Sequence, residues 1–191
     1  LASTLYHNRG DGTFEDVSGK AGIAAFAGRG MSVAFADYDQ DGFPDVFVTN
    51  DNMPNFLFHN HGNGTFEEVA LPAGVALRED GKPVASMGAD FRDYDNDGRP
   101  DIAVTALAHE TFPLFRNMGK GNFADATYSS HMAALSQSHS GWGTGLFDFN
   151  NDGWKDIFTS NSHVNDLVEQ FEAAVYKEPD FVFANLGNGA F

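Results

Sequence analysis

The sequence predicts an all-β fold of stacked four-stranded units, and three observations carry that reading. An acidic nonapeptide of pattern D-x-[DN]-x-D-G-x-x-D occurs three times, at Asp37–Asp45, Asp93–Asp101 and Asp148–Asp156, its first Asp recurring after 56 and then 55 residues. A β-branched or aromatic run follows each copy: Val46-Phe47-Val48-Thr49, Ile102-Ala103-Val104-Thr105 and Ile157-Phe158-Thr159-Ser160. Such runs favour strands. A glycine-rich element, N-x-G-x-G-x-F, alternates with the acidic loop at Asn8–Phe14, Asn60–Phe66, Asn117–Phe123 and Asn185–Phe191. Paired glycines beside Asn or Asp supply the positive φ of a tight hairpin.

These elements phase one unit. A first strand leads into the acidic loop: Met31–Ala36, Met87–Arg92 and Trp142–Phe147. A second strand leaves the loop, a third enters the glycine hairpin, and a fourth follows it, as in Thr65-Phe66-Glu67-Glu68-Val69. Four short strands cannot bury both faces alone and must stack on neighbours. Four-stranded units at this period point to β-propeller blades. A calcium β-helix is disfavoured because nonapeptide G-G-x-G-x-D runs are absent. The expected layout is a half blade at 1–17, blades at 28–70 and 86–127, and a nearly complete blade with an insertion at 140–191. Propellers close with four to eight blades, so the chain is expected to be a segment of a longer one.

Side chains at loop positions 1, 3 and 5 converge when the chain turns tightly, and Gly at position 6 permits the turn. Position 7 can add a backbone carbonyl (Phe43, Arg99, Trp154), and the Asp at position 9 closes the shell. That set of oxygens suits calcium, which takes six to eight of them at roughly 2.3–2.6 Å. Bare carboxylates so close would repel by about 4 kcal/mol per pair at an effective dielectric near 20. An EF-hand needs a Glu at position 12 between two helices. Here position 12 is Val48, Val104 or Thr159 within strand-like sequence, which excludes it. About three Ca²⁺ sites are expected.

The residues resemble FG-GAP/VCBS repeats, as in the integrin alpha propeller, and more closely the ASPIC/UnbV (cartilage acidic protein-like) group. Leu5–Val17, and Gly141–Asp148 running into Asn150–Asp156, carry the resemblance most strongly. It implies a propeller whose Asp-rich hairpins bind calcium. By that resemblance the ligands are Asp37, Asp39, Asp41, the Phe43 carbonyl and Asp45 in the first loop. In the second they are Asp93, Asp95, Asp97, the Arg99 carbonyl and Asp101, and in the third Asp148, Asn150, Asp152, the Trp154 carbonyl and Asp156. Two features depart from the pattern. Asn150 replaces an Asp and removes a charge, and Val-Thr-Asn stands where integrin repeats end in Gly-Ala-Pro.

The formal charge is −16, and eleven of the 27 acidic residues lie in the three loops. With no basic cluster, nucleic acid and anionic membrane are poor partners. No 18-residue apolar run exists to span a bilayer. Cysteine is absent, which excludes disulfides and zinc–thiolate sites. Calcium dependence favours an extracellular, periplasmic or cell-surface location. A protein or carbohydrate ligand, and further blades of the same chain, are the expected partners. A binding or adhesion scaffold without catalysis is the expected function; a propeller enzyme with its site on the blade-connecting face is the alternative, since fold does not decide function.

Other motifs yield to turn chemistry. Arg9-Gly10-Asp11 and the sequon Asn63-Gly64-Thr65 both fall in glycine hairpins. Ser138-His139-Ser140 lacks a G-x-S-x-G elbow, and adjacency in sequence does not make a catalytic pair. His109-Glu110 meets Pro113 where a zincin needs His. His163 is expected to make a structural hydrogen bond. The stretch from Asp156 to Phe191 is about 13 residues longer than its equivalents. Leu167, Phe171, Ala174 and Val175 share one helical face there, with Asp166 before and Pro179 after, which predicts the one inserted helix.

Overall fold

A computed structural model describes residues 1–191. The chain forms antiparallel sheets taken up in sequence order. β1 (Tyr6–Asn8) pairs with β2 (Phe14–Asp16). The first four-stranded sheet is β3 (Gly30–Ala36), β4 (Asp45–Asn50), β5 (Phe56–Asn60) and β6 (Phe66–Glu68). The second is β7 (Ala89–Arg92), β8 (Asp101–Val104), β9 (Leu114–Gly119) and β10 (Asn122–Asp125). The third holds β11 (Gly141–Phe147), β12 (Asp156–Asn161) and β13 (Phe181–Phe183). The leading strands β3, β7 and β11 lie against one another, which stacks the sheets face to face.

The second strand of each sheet explains the apolar runs. Side chains alternate faces along a strand, and β4 is buried on both. Phe47 enters a core shared with Phe91, Ile102 and Phe123 of the next sheet, whereas Val46 and Val48 pack with Ile23 and Phe58 on the other side. β8 repeats this: Ile102 and Val104 face back, and Ala103 faces forward into a core with Leu146, Ile157 and Phe191. A strand buried on both faces reads as a continuous apolar run.

The inserted helix is not there. Residues 166–177 contain only a single 3₁₀ turn, Val168–Gln170. Leu167, Phe171 and Val175, which were to form its buried face, are exposed, while Val168 is fully buried. A helix of about twelve residues is marginal in water without packing on one face, and this segment packs through Val168 instead. Its backbone is held in a loop by the His163 N–H donating to the Tyr176 carbonyl at 2.9 Å. Two short helices lie elsewhere, α1 (Ala70–Ala73) and α2 (Met132–Ser136) in the β6–β7 and β10–β11 connections.

Antiparallel alternation fixes the two ends of the stack. The acidic loops (β3–β4, β7–β8, β11–β12) and the glycine hairpins share one end, and the remaining connections share the other.

Candidate metal centres

Each acidic loop folds around its own carboxylates. The Gly42, Gly98 and Gly153 N–H groups each donate to the position-1 Asp (Asp37, Asp93, Asp148) at 2.9 Å. These glycines have φ of 94°, 86° and 92°, as the sequence requires. Position 4 is left-handed as well: Gln40, Asn96 and Asn151 have φ of 63°, 58° and 60°. That turns the side chain outward to the next loop, where the Gln40 amide donates to the Gly98 carbonyl (2.8 Å) and the Asn96 amide to the Gly153 carbonyl (2.9 Å).

The position-9 Asp is a structural bracket. Asp45, Asp101 and Asp156 are buried. In each, one oxygen accepts the position-2 N–H, from Tyr38, Tyr94 or Phe149, at 3.0–3.2 Å. The other accepts the N–H of the hairpin Asn, from Asn60, Asn117 or Asn185, at 2.7–2.8 Å. Burial pushes the Asp101 carboxyl up to about 7, its two N–H donors pulling the other way and Asp95 and Asp97 adding to the rise. Asp45 is raised by the same cause, against Asn60, Tyr38 and His59.

Position 7 carries more than a carbonyl. The Phe43 ring lies over Gly62, so that a Cβ there would come 2.4 Å from the ring; Trp154 covers Gly187 likewise (3.0 Å) and Arg99 covers Gly119 (3.6 Å). The side chain thus caps the glycine hairpin of its own sheet, a role that the sequence reading left out.

The carboxylates do not gather equally. Asp37, Asp39 and Asp41 bring ligand atoms within 4.8 Å of one another, and so do Asp39, Asp45 and His59. In the second loop Asp93, Asp95 and Asp101 do so. The third loop forms no such group. There the Asn150 amide donates to Asp152 Oδ2 at 2.8 Å, putting a donor where the other loops have a carboxylate. Two oxygens argue for a cation: Asp39 Oδ1 and Asp93 Oδ1 are buried and accept no hydrogen bond. A buried anionic acceptor without a donor is costly, and a hard cation among carboxylates satisfies it. The first loop therefore fits calcium. The second fits it on the same ground, but it also holds positive charge of its own: Arg116 is in ionic contact with Asp95 Oδ2 and Arg99 with Asp97 Oδ2. Burial opposes the Arg116 charge, but Asp95, Tyr94 and Asp97 outweigh it and raise its already high value. Burial also raises Asp95, with Arg116 pulling it down.

A family model described as an FG-GAP-like repeat matches residues 2–48, 37–104 and 93–159. The chain belongs to the FG-GAP-like repeat family. Cartilage acidic protein 1 of Homo sapiens is 30% identical over 165 residues, which cover 82% of this chain and 24% of that protein. The Mus musculus and Xenopus tropicalis proteins of that name match over the same extent at 30% and 28%. The chain thus spans about a quarter of the length of these relatives.

The far end of this FG-GAP-like stack carries a cavity of about 490 Å³ lined by Ala108, His109, Ser138, His139, His163, Glu178 and Phe181, with part of the insertion. Ser138 Oγ lies 3.2 Å from His139 Nε2, and His139 Nδ1 lies 3.2 Å from Glu178 Oε2. The Glu178 carboxylate also accepts the Ser140 N–H. The imidazole packs on Phe181 with centroids 4.3 Å apart. His163 makes local contacts, its Nδ1 accepting the Asn165 N–H at 3.1 Å. Arg9-Gly10-Asp11 is a hairpin: Arg9 pairs with Glu15, and Asp11 accepts the Thr13 N–H and hydroxyl.

Proposed function

We propose that the chain is part of a calcium-stapled β-propeller scaffold that binds a protein or carbohydrate ligand outside the cytosol, at the cell surface or in the periplasm. The supporting observation is the pair of buried, donorless oxygens, Asp39 Oδ1 and Asp93 Oδ1, inside loops that recur between the first two strands of the three larger sheets. The ligands on this reading are Asp37, Asp39, Asp41, the Phe43 carbonyl and Asp45, with the equivalent positions 1, 3, 5, 7 and 9 of the other loops. No helix is long and apolar enough to cross a membrane. The metal holds the loop end of each blade, and the ligand surface lies elsewhere. Calcium titration with a chelator melt tests this. Binding heat and a melting temperature that falls on chelation are expected; neither effect in the intact chain would sink the metal. Asp39→Ala with Asp41→Ala should remove the first-loop heat.

One observation favours a second reading, an enzyme site on the opposite end. Ser138, His139 and Glu178 stand in the order of a nucleophile, its base and the carboxylate that orients the base. Glu178 accepts only, so the His139 hydrogen sits on Nδ1 and leaves Nε2 free to take the Ser138 proton. Turnover of small neutral esters, lost in both Ser138→Ala and His139→Ala with the fold intact, would support it. On the scaffold reading the three groups tie the insertion to the β10–β11 connection, and no turnover is expected.

A further inference from the structure

One position in each sheet sets what the neighbouring acidic loop holds. It is the residue before the hairpin Asn: His59, Arg116 and Ala184. The main-chain bonds from Asn60, Asn117 and Asn185 to Asp45, Asp101 and Asp156 fix that position beside the loop in all three sheets. The side chains differ in charge. His59 Nδ1 lies 3.3 Å from both Asp39 Oδ2 and Asp45 Oδ1. Arg116 reaches Asp95 through Nε and approaches Asp97 Oδ2 to 3.7 Å through Nη2. Ala184 brings nothing.

Resting on the calcium reading of the loops, we propose that Arg116 is a tethered competitor for the cation of the second loop. Asp95 is nearly buried and its Oδ2 faces the guanidinium. A divalent ion that takes Asp95 as a ligand must first displace Arg116. Guanidinium is protonated at any working pH, and its donors match a carboxylate pair. Being tethered, it acts at a fixed local concentration that dilution does not lower. Arg99 adds a second positive group at Asp97 and the Asn117 carbonyl. Two guanidinium groups thus offset half of the four carboxylate charges of the second loop before any ion enters. That loop binds calcium more weakly than the first, and it keeps its shape without the ion. In the first loop a single imidazole, with His59 Nδ1 3.3 Å from Asp39 Oδ2 and Asp45 Oδ1, stands where the second loop has two guanidinium groups.

The experiment is calcium titration calorimetry on the full chain, with circular dichroism to check the fold. Arg116→Gln is expected to tighten one site by roughly two- to fivefold, the factor an ion pair of this exposure is worth. Adding Asp93→Asn should abolish that gain and so assign it to the second loop. Arg116→Lys, which keeps the charge, should stay near wild type. His59→Arg, which places a guanidinium at the same position beside the first loop, should weaken the site there. Unchanged affinity in Arg116→Gln, or a gain that survives Asp93→Asn, overturns the proposal. Should Arg116→Gln fail to fold, His59→Arg decides: an unaltered isotherm overturns the proposal too. Absence of any calcium heat in the wild type is a separate result, which removes the calcium reading and the competitor together.

Discussion

The Asn117 side-chain amide donates to the Tyr38 carbonyl at 2.8 Å, joining the third strand of one sheet to the acidic loop of the sheet before it. Asn185 makes the same bond to Tyr94 at 2.9 Å one unit later. The amide also donates to the Pro100 carbonyl, and its oxygen accepts the Gly119 N–H. One buried side chain thus closes a hairpin, holds its own loop and clasps the neighbouring loop. Asn117→Ala leaves these buried groups unpaired and should cost about 3 kcal/mol. Denaturant melts would measure it. Asn8→Ala, whose oxygen closes only an exposed hairpin through the Gly10 N–H, should cost far less.

Gly62 and Gly119 hold the same hairpin position with φ of 68° and 76°, but their surroundings differ. A side chain at 62 meets the Phe43 ring, whereas one at 119 meets only the outer part of Arg99. Both alanine variants bear the left-handed strain of roughly 1–2 kcal/mol. Gly62→Ala should cost more, because it must also displace Phe43. Combining it with Phe43→Ala should recover that excess in a double-mutant cycle, and additive costs would refute the contact.

The loops were legible because each position has a chemical reason to hold its residue type. The turn glycines and the strands leaving the loop follow from local pattern, whereas the two-faced burial of β4 and β8 becomes evident only once the sheets are stacked. The hairpin Asn reads in sequence only as a turn residue, although it recurs in all four glycine elements and the glycines already supply the positive φ. That surplus was the available signal for a clasp between sheets. The insertion misled because its helical periodicity has no surface to face, leaving Leu167, Phe171 and Val175 exposed. His59 and Arg116 became informative only in three dimensions, since their loop partners lie about 20 residues away in sequence. Glu178 is 39 residues from His139, so no local motif could join them.

Asp101 gives the metal-free chain a pH dependence of definite sign. Its carboxyl sits at about 7 in the fold and near 3.9 in an unfolded chain. Between those values the folded state binds more protons, so stability falls as pH rises from about 4 to about 7 and levels off above. Asp45 shifts in the same direction and adds to the slope. Asp11 and Asp16 are held low by Thr13 and Ser18, so their contribution is lost only at more acid pH, outside this window. Melting temperature measured with chelator from pH 5 to 7.5 should decline. Asp101→Asn should flatten the decline, and excess calcium, by favouring the carboxylates, should reverse it.

Chelation should loosen the loops unequally, and hydrogen exchange can resolve them. The Gly42, Gly98 and Gly153 amides all donate to the first Asp of their own loop, so they report the same bond in three settings. In the second loop Arg116 and Arg99 remain against Asp95 and Asp97 after the ion leaves. In the first, Asp37, Asp39 and Asp41 face one another with His59 alone to offset them. Like charges at such separations cost about 1–4 kcal/mol per pair, depending on the local dielectric. Removing calcium should therefore speed exchange at Gly42 by tenfold or more and leave Gly98 nearly unchanged. Gly153 should lie between, because Asn150 has already removed one charge from its loop. Equal acceleration at all three amides would mean that the arginines do not stand in for the ion. Arg116→Gln should move Gly98 part of the way toward the behaviour of Gly42, since the charge that held Asp95 is lost while Arg99 stays on Asp97.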